Sequence, residues 1–409
     1  MKKYLIVLLF MSLAGCGGGD SGSSIQSAAP AVQTPVQNTA AITVDGTFGA
    51  ANRPYTSVTL CKPGTNQCQT IDHIIIDTGS VGLRLISSAA ITALGLPSQS
   101  ARPAGNQLGE CYYYATSYAW GSVKLADVKM AGETASNIAV QIVADPGMPS
   151  APTACSNTGG TPQNTAQEMT GNGIIGVGIG PSYYDCGPAC ASNATIGGYN
   201  LYFTCTSSVC QDTTVPITQQ VGNPVALFPQ DNNGVILQLQ SLPNTGTPTA
   251  AGQLIFGIGT QADNGLGAAQ VYTTDDNGYF PTTYNGIVYK NSFIDSGSLF
   301  YTFQDNTLPT CDSGFFCPLS VTSLSAINTG LNGTSGTVNF DVLTPDAFAN
   351  AVNAVNDVGE AATVALGSNT GFSSSFDWGL SFFFGRSIDV AYKARATPGG
   401  KGPYYAYAN

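Results

Sequence analysis

Two aspartates occupy nearly the same sequence context, and together their carboxyl groups could carry out acid–base chemistry. Asp77 lies in residues 74–80, IIIDTGS, and Asp295 lies in residues 292–298, SFIDSGS. Two carboxyl groups that face each other at short range cannot both ionise comfortably, so they share one proton and divide into an acid and a base. A water molecule held between such a pair can attack a peptide carbonyl without a nucleophilic serine, cysteine or metal ion.

The triplet Asp-[Ser/Thr]-Gly is frequent in this chain, so its context decides which copies matter. It begins at Asp20, Asp77, Asp295 and Asp312. Asp20 lies in a Gly/Ser-rich segment, and Asp312 directly follows a cysteine in a short cysteine-bounded stretch. Only Asp77 and Asp295 end an apolar run and are followed by Gly-Ser, so we single out these two.

The turn residues after each aspartate could stabilise a carboxylate. A charge at the end of a buried strand is costly unless hydrogen-bond donors surround it. The glycine N–H and the serine hydroxyl of each turn can be those donors. They are Gly79 and Ser80 after the first aspartate, and Gly297 and Ser298 after the second.

Each aspartate turn is followed, much later in the chain, by two apolar residues and a glycine. Residues 174–176 read IIG, and residues 383–385 read FFG. The same order of elements in two halves of a chain indicates duplication. The sequence therefore predicts two related lobes with one aspartate in each.

Composition narrows the class of protein. Only 9% of the 409 residues are charged, against about 25% in an ordinary soluble domain, and the chain contains 49 Gly and 23 Pro. Few helix-forming charged residues and many turn formers favour an all-β fold. The net charge of −11 argues against nucleic-acid binding. The single histidine, His73, excludes a multi-histidine metal site and is itself predicted to be an ordinary strand residue.

Short apolar stretches separated by Gly, Pro, Asn and Asp predict strands through most of the chain. Examples are residues 57–61, 73–76, 122–130, 138–143, 234–239 and 253–257. The clearest helix is predicted at residues 344–358, where Thr344 can cap the first turn and Pro345 suits it. Its apolar face would comprise Phe348, Val352 and Val355. A weaker helix is predicted at residues 87–94.

The N-terminus has the features of an export signal. Residues 1–15 contain two lysines and then an apolar run too short to span a membrane permanently. The LAGC sequence that ends at Cys16 resembles the lipobox of bacterial lipoproteins. This resemblance implies that Cys16 is lipidated and becomes the mature N-terminus, and Gly17 after it favours the outer membrane. The alternative is a soluble secreted protein in which Cys16 lies near the cleavage site by chance.

Residues 16–41 are predicted to be the lipidated cysteine and a flexible tether, because they are rich in small and polar residues and lack the apolar content to fold. Without Cys16, ten cysteines remain, an even number that suits up to five disulfides in an oxidising compartment. Short loops offer four pairs and leave a fifth, although the sequence does not prove the connectivity. The pairs are Cys61–Cys68, Cys186–Cys190, Cys205–Cys210, Cys311–Cys317 and Cys111–Cys155. The rival interpretation, zinc binding, does not fit the cysteine spacings.

The order of these elements resembles that of pepsin-like aspartic peptidases over residues 42–407. Beyond the two aspartate turns, residues 173–178 and 383–386 resemble the hydrophobic-hydrophobic-glycine elements that thread behind the two catalytic loops of that family. Residues 252–257 resemble the strand near the end of its first lobe. The resemblance implies an all-β, bilobal pepsin-like fold with a central cleft.

A closer resemblance is to a bacterial lipoprotein family catalogued only as a domain of unknown function. It rests on residues 223–224, 231–234 and 256–261.

The pepsin-like resemblance implies a role for each turn residue. Asp77 and Asp295 would be the catalytic dyad, and Ser80 and Ser298 would hydrogen-bond the outer carboxylate oxygens. Gly79 and Gly297 would complete the two turns. Thr78 and Ser296 would brace the two loops against each other.

The same family folds a β-hairpin flap over the substrate, with a tyrosine at its tip. Residues 111–121, CYYYATSYAWG, lie where that flap should be. Tyr114 fits the spacing best and Tyr118 second; the alternative is an ordinary half-buried aromatic strand. The chain departs from the family at Ala115, where a glycine is usual. It departs again at Arg84, where a tryptophan is common, and Arg84 is predicted to pair with a surface aspartate rather than to set specificity.

These observations predict an N-terminal β lobe over residues 42–262, with the flap, and a C-terminal β lobe over residues 263–409. The predicted function is that of a monomeric, lipid-anchored aspartic endopeptidase of the bacterial cell envelope, held to the membrane through Cys16 only. Its substrate would be a peptide or unfolded protein, and we expect no cofactor, metal or nucleic acid. The alternative is a catalytically silent envelope protein whose cleft binds a peptide or glycan, and a structural or adhesion role is a third possibility.

Overall fold

The structure, a computed structural model, describes residues 37–311, 314–345, 352–362 and 375–408. It is mostly β, with 45% strand, 8% helix and barrel-like sheets, which confirms the predicted all-β class. In chain order the strands are β1 (Thr39–Val44), β2 (Pro54–Cys61), β3 (Cys68–Asp77), β4 (Val81–Ile86), β5 (Gln107–Tyr113), β6 (Ser117–Met130), β7 (Glu133–Val143), β8 (Thr161–Pro162), β9 (Gly173–Val177), β10 (Thr195–Ile196), β11 (Tyr199–Asn200), β12 (Tyr202–Cys205), β13 (Cys210–Asp212), β14 (Gly234–Leu239), β15 (Ala250–Phe256), β16 (Gln270–Thr273), β17 (Phe280–Tyr284), β18 (Ile287–Ile294), β19 (Tyr301–Phe303), β20 (Thr322–Thr329), β21 (Ser335–Val342), β22 (Gly359–Ala361), β23 (Asp377–Trp378), β24 (Ser387–Ala391), β25 (Ala396–Thr397), β26 (Gly400–Lys401) and β27 (Tyr404–Tyr407).

Helices are short and connect the strands. They are α1 (Ala89–Ala93), α2 (Thr153–Ser156), α3 (Ala166–Met169) and α4 (Pro188–Ser192), with 3₁₀ turns at Ile217–Gln219, Val225–Leu227 and Leu380–Phe382. Helix α1 confirms the weaker predicted helix, and the Ser88 side chain caps it by accepting from the Ile91 N–H. None of the helices in the described part of the chain has the length and apolar character to cross a membrane.

The large sheet contains most of the strands. Its order is β13-β12-β5-β6-β7-β4-β9-β3-β2-β1-β15-β14-β24-β27-β16, and β8 pairs with β6 off this path. At its centre β9 lies between β3, to which it is parallel, and β4, to which it is antiparallel. The register places Gly176 of β9 opposite both Asp77 at the end of β3 and Gly82 of β4.

The small sheet repeats that local arrangement. Its order is β21-β20-β17-β18-β23-β19-β22, in which β23 is parallel to β18 and antiparallel to β19. Strands that follow residue 262 contribute to both sheets, because β16, β24 and β27 belong to the large one. The predicted lobe boundary at 262/263 therefore does not coincide with the division between the sheets.

The core is apolar and, in the small sheet, strongly aromatic. Side chains that alternate inward along the strands are buried, and Phe376 stacks on both Phe303 and Trp378 with ring centroids 4.8 and 4.4 Å apart. All five predicted disulfides are present, which confirms the proposed pairing.

Two predictions need correction. Residues 352–358 of the predicted helix at 344–358 are irregular, while residues 346–351, with Phe348, lie outside the described residues. The reason is that backbone groups here bond other segments: the Ala354 N–H donates to Thr247 O, and the Val355 N–H donates to Asn52 Oδ1. Strand β1 begins at Thr39, inside the predicted tether, and pairs with β15.

The remaining predictions at the N-terminus concern residues that the structure does not cover. The signal peptide, Cys16, and the tether up to residue 36 lie outside the described residues, as does Asp312 of the fourth triplet.

Candidate active site

The turn after β3 surrounds the Asp77 carboxyl with donors. Residues Ile74, Ile75 and Ile76 of β3 are buried, so the strand delivers Asp77 to the interior of the molecule. The Gly79 N–H donates to Asp77 Oδ1 at 2.8 Å, and the Ser80 hydroxyl donates to Oδ2 at 2.5 Å.

The turn after β18 has the same set of donors. The Gly297 N–H donates to Asp295 Oδ1 at 2.7 Å, and the Ser298 hydroxyl lies 3.0 Å from Asp295 Oδ2. Both turns therefore hold their aspartates by a backbone N–H two residues on and a hydroxyl three residues on.

Thr78 and Ser296 link the two turns by reciprocal hydrogen bonds. The Thr78 hydroxyl donates to Ile294 O at 3.0 Å and accepts from the Ser296 N–H at 2.9 Å. In return, the Ser296 hydroxyl donates to Ile76 O at 2.7 Å and accepts from the Thr78 N–H at 3.1 Å. Both side chains are fully buried, so these bonds fix the separation of the two turns.

The two aspartates share one site. Each carboxyl group lies against the glycine of the opposite turn, so the Asp77 and Asp295 side chains face one another. A Cβ atom at Gly79 would lie 2.5 Å from Asp295 Oδ2, and one at Gly297 would lie 2.6 Å from Asp77 Oδ1, so only glycine fits at either position. Burial, and next the Asp77 carboxyl, raise the pKa of Asp295 to about 8. The pair consequently holds a proton at neutral pH.

A third carboxyl group, which the sequence analysis missed, stands behind the second turn. Asp377 of β23 is 3% exposed, and its Oδ2 lies 2.6 Å from the Ser298 hydroxyl oxygen. The Ser298 hydroxyl is within hydrogen-bond distance of both carboxyl groups and therefore links Asp377 to Asp295. Burial and the neighbouring Asp295 raise the pKa of Asp377 well above its usual range. Burial thus favours the protonated form of a carboxyl group that contacts Asp295 through Ser298.

The strand behind the second turn corrects another prediction. We expected residues 383–386 to thread behind it, but β23 does so: Phe293 pairs with Asp377, and Ile294 pairs with Trp378. Residues 383–386 instead follow the 3₁₀ turn Leu380–Phe382. Strand β23 does not match the pattern of two apolar residues and a glycine, because Asp377 occupies the first apolar position.

The predicted flap is a β-hairpin of β5 and β6, and Tyr114 is at its tip. The Tyr114 N–H donates to Ser117 O at 2.8 Å across the turn. The Tyr114 side chain lines the cavities on either side of the aspartates, and its buried hydroxyl has no partner among the described residues. Tyr118, the second candidate, pairs with Tyr113 within the hairpin and lines a different cavity, beside Trp120.

Arg84 is not the surface residue that the sequence predicted. Its side chain is fully buried, and it forms ion pairs with the equally buried Glu110 and Asp185. Its guanidinium also lies over the Tyr112 ring, 3.4 Å from the centroid. The partners come from distant parts of the chain, which the local sequence could not reveal.

This buried cluster, made of Arg84, Glu110, Asp185, Tyr112 and Tyr202, contains one cation and two carboxyl groups. Burial, countered by Arg84 and reinforced by Asp185, raises the pKa of Glu110 well above its usual range. The Tyr202 hydroxyl donates to Asp185 and accepts from the Val221 N–H. The cluster ties β5 of the flap to β4.

Two cavities of about 240 Å³ each adjoin the aspartates. Both are lined by Asp77, Asp295, Tyr114, Ala115 and Ser298. The first, the Tyr279 cavity, also has Tyr112, Tyr279, Phe293, Asp377 and Tyr405 in its wall. The second, the Arg53 cavity, also has Arg53, Ile75, Gln163, Glu168, Met169 and Ile174. No local sequence pattern marks Arg53, Tyr279 or Tyr405, so their place in these walls could not be predicted.

His73 is a strand residue, as predicted, and lies away from both cavities. It has a φ of 49° at an irregular point of β3, and it pairs with Asp45 and Asp72. Within the described ranges no three His, Cys, Asp or Glu side chains form a group that could hold a metal ion.

Comparison with known proteins adds a family and no activity. No curated protein shows significant similarity to the chain. Residues 34–407 match a family model described as "Protein of unknown function (DUF3443)". The matched region contains every residue of the candidate site, and it confirms the expected resemblance to a family known only as a domain of unknown function. The chain belongs to this family.

Proposed function

We propose that the protein is a pepsin-like aspartic endopeptidase that hydrolyses peptide bonds through a water molecule activated by Asp77 and Asp295. The observation that carries the proposal is the meeting of two equivalent aspartate turns, in which each carboxyl group lies against the glycine of the other turn. A cavity opens on either side of this pair, and a hairpin tip lies over it.

The arrangement of strands supports a pepsin-like, bilobal fold as part of the same proposal. Each sheet contains a middle strand, β9 or β23, that is parallel to the strand leading to the aspartate and antiparallel to the strand after the turn. The flanking strands are β3 and β4 in the large sheet, and β18 and β19 in the small sheet. Glycines lie at equivalent places, Gly176 in β9 and Gly379 directly after β23. A Cβ at Gly176 would collide with the backbone at the start of β4, and a Cβ at Gly379 would collide with the backbone of Phe300, directly before β19. Two copies of one motif, facing each other, are what a duplicated dyad requires.

The chemistry follows from the shared proton. The ionised carboxylate removes a proton from the water as its oxygen attacks the carbonyl carbon, and the protonated carboxyl donates its proton to the carbonyl oxygen. The resulting tetrahedral intermediate collapses when the carboxyl group that took the proton from water gives it to the leaving nitrogen and the C–N bond breaks. The other carboxylate then takes back a proton from a hydroxyl group of the intermediate as the new carbonyl group forms, which restores the pair. The raised pKa of Asp295 supports the role of proton donor for this residue, and Asp77 is then the base.

Tyr114 is the proposed flap tyrosine. Its buried hydroxyl lacks a partner in the described residues, so a substrate that enters between the hairpin tip and the aspartates could provide one. Tyr118 points to a different cavity and is not part of the proposed site.

Location and partners complete the proposal. The lipobox-like sequence at Cys16 supports a lipid anchor at the bacterial outer membrane, and the cleft suits an extended segment of a peptide or unfolded protein. The chain needs no metal or cofactor for the steps above.

The test is hydrolysis of denatured casein by the full-length protein between pH 3 and 7, with and without pepstatin. We expect cleavage that pepstatin blocks, and a loss of about 10²- to 10⁴-fold in Asp77→Asn, the range in which general acid–base catalysis contributes. Asp20→Asn is the matched control, because it changes the same triplet in a context without an apolar strand. Undiminished cleavage by Asp77→Asn would contradict the proposal. A protein that binds pepstatin and cleaves nothing would instead be the peptide-binding alternative.

A further inference from the structure

The Arg53 cavity contains a positive charge that the hydrolytic chemistry does not use. Arg53 lies just before β2, and its side chain reaches across to the second aspartate turn. Its Nη1 donates to Gly297 O at 2.6 Å, and its Nε donates to Thr170 Oγ1 at 2.9 Å. These two contacts hold the guanidinium at the wall of the cavity.

The charge of Arg53 is not neutralised by an ion pair. Within the described residues the ion pairs involve His73, Arg84, Lys124 and Lys393, and none involves Arg53. Arg53 is half-buried, and an arginine that is partly withdrawn from water is usually paired. A guanidinium has five N–H donors, and only two of them are engaged by the contacts above. The remaining donors are available to a group that enters the cavity.

The other residues of the cavity do not supply the missing anion. Glu168 Oε2 already accepts from the Asn164 N–H at 2.9 Å and contacts Thr165 Oγ1 at 3.1 Å, as part of the cap of α3. The aspartates at the base of the cavity act on Arg53 only through space. The cavity is also lined by the apolar side chains of Ile75, Met169 and Ile174.

We infer that Arg53 is a specificity-determining residue that receives a carboxylate of the substrate beside the scissile bond. The inference rests on the proposed function, since it assigns a substrate class to the same cleft. The apolar wall would pack against the methylene groups of a Glu or Asp side chain, and the guanidinium would bind its carboxylate. In a chain whose net charge is −11, this cation would offset the general repulsion of an acidic peptide.

The carboxylate could come from a side chain or from the C-terminus of the substrate. The experiment therefore uses statine-containing peptides that differ only in Glu or Gln next to statine, on either side of it. A second pair carries a free or an amidated C-terminus directly after that position. Binding of each peptide to the full-length protein is measured by calorimetry, and the corresponding cleavable peptides are assayed for hydrolysis.

We expect the Glu peptide to bind at least about tenfold more tightly than its Gln partner at one of the two positions, as a charge-assisted hydrogen bond provides. Arg53→Gln should bring this ratio close to one, and Arg53→Lys should keep part of it, since a lysine is a point charge without the fork geometry. Because each ratio compares two peptides on one variant, a general loss of affinity cancels. Arg102→Gln, an exposed arginine away from this cavity, is the matched control.

A ratio near one in the unmodified protein, or an unchanged ratio in Arg53→Gln, would overturn the inference. A preference for the free over the amidated C-terminus would identify a terminal carboxylate as the group that Arg53 receives. If no peptide is hydrolysed but the Glu preference is present and depends on Arg53, the proposed enzyme activity fails while the assignment of Arg53 stands.

Discussion

The two aspartate turns have the same hydrogen bonds to their carboxyl groups, but the strands that support the two turns carry different residues. Asp77 and Asp295 each accept from the glycine N–H and contact the serine hydroxyl of their own turn. Behind the first turn Arg84 of β4 pairs with Ile174 of β9. Behind the second, at the equivalent register position, Thr302 of β19 pairs with Asp377 of β23.

The residues that set the geometry of the turns are therefore shared by the two copies, whereas the charged and acidic residues behind the turns are not. The glycines and hydroxyl groups that fix the turns recur in both copies. At Gly79 and Gly297 the carboxyl group of the opposite turn occupies the space that a side chain would need. The residues behind them contact the flap in one copy and the second aspartate in the other. In the first copy Arg84 forms an ion pair with Glu110 of β5, whereas in the second the Ser298 hydroxyl donates to the Asp377 carboxyl group.

The largest effect on stability is expected where the first copy buries its charges. Arg84→Met would leave Asp185 and Glu110 without their cation, and breaking a buried ion pair in this way costs about 3–5 kcal/mol. The measurement is urea unfolding at pH 7. Thr302→Val, at the equivalent position of the second copy, is the control and should stay within about 1 kcal/mol. A small effect of Arg84→Met would show that the two copies do not differ in this respect.

An intermediate effect is expected at the bonds that the copies share. Thr78→Val and Ser296→Ala each remove one hydroxyl from the reciprocal set and should lower the free energy of unfolding by about 1–3 kcal/mol. The double variant should lose less than the sum, with a coupling of about 0.5–3 kcal/mol. Thr70→Val, whose hydroxyl contacts Thr59 on the exposed face of the sheet, is the control. Strict additivity of Thr78→Val and Ser296→Ala would contradict the reciprocal arrangement.

The smallest effect, a change in pH dependence, is expected at Asp377. Its pKa in the folded protein lies well above the value of about 3.9 for an unfolded chain, so folding favours the protonated form. Below the pKa of the unfolded chain, Asp377 is protonated in both states and does not affect the free energy of unfolding. As the pH rises from the pKa of the unfolded chain to that of the folded protein, the free energy of unfolding falls. Asn cannot ionise, so Asp377→Asn should match the unmodified protein at pH 4 and be more stable at pH 7.

Urea unfolding at both pH values measures this difference. Asp212→Asn, which alters an exposed carboxylate in β13, should give no pH-dependent change relative to the unmodified protein. An equal shift at pH 4 and pH 7 for Asp377→Asn would show that Asp377 acts through packing rather than through its proton.

Sequence patterns predicted what local residue types determine. The strands and the four short-loop disulfides follow from motifs whose members are close in sequence. The Cys111–Cys155 pair was the one left over, and the contacts between Thr78 and Ser296 were implied by the pepsin-like resemblance, because these contacts join parts of the chain that are far apart. Asp377 could not be found this way, because an aspartate in an apolar strand looks like an interruption of the pattern until its partner Ser298 is known. The partners of Arg84 could not be predicted either, because Glu110 and Asp185 are far from it in the sequence. The predicted helix at 344–358 failed in its described part because tertiary hydrogen bonds outweighed a local periodicity.

Strand β1 has a consequence for how the chain reaches its folded state. It lies in the interior of the large sheet, where Thr39 is opposite Ile255, and β14 in turn pairs with β24, where Gly234 is opposite Ala391. Strand pairs between residues this far apart in sequence form late in folding, because the intervening chain must lose conformational entropy before the contacts form. A chain that is synthesised from its N-terminus would hold unpaired apolar strand edges until residue 391 has been made. Truncation before β24 should therefore yield an aggregating product rather than a smaller folded one.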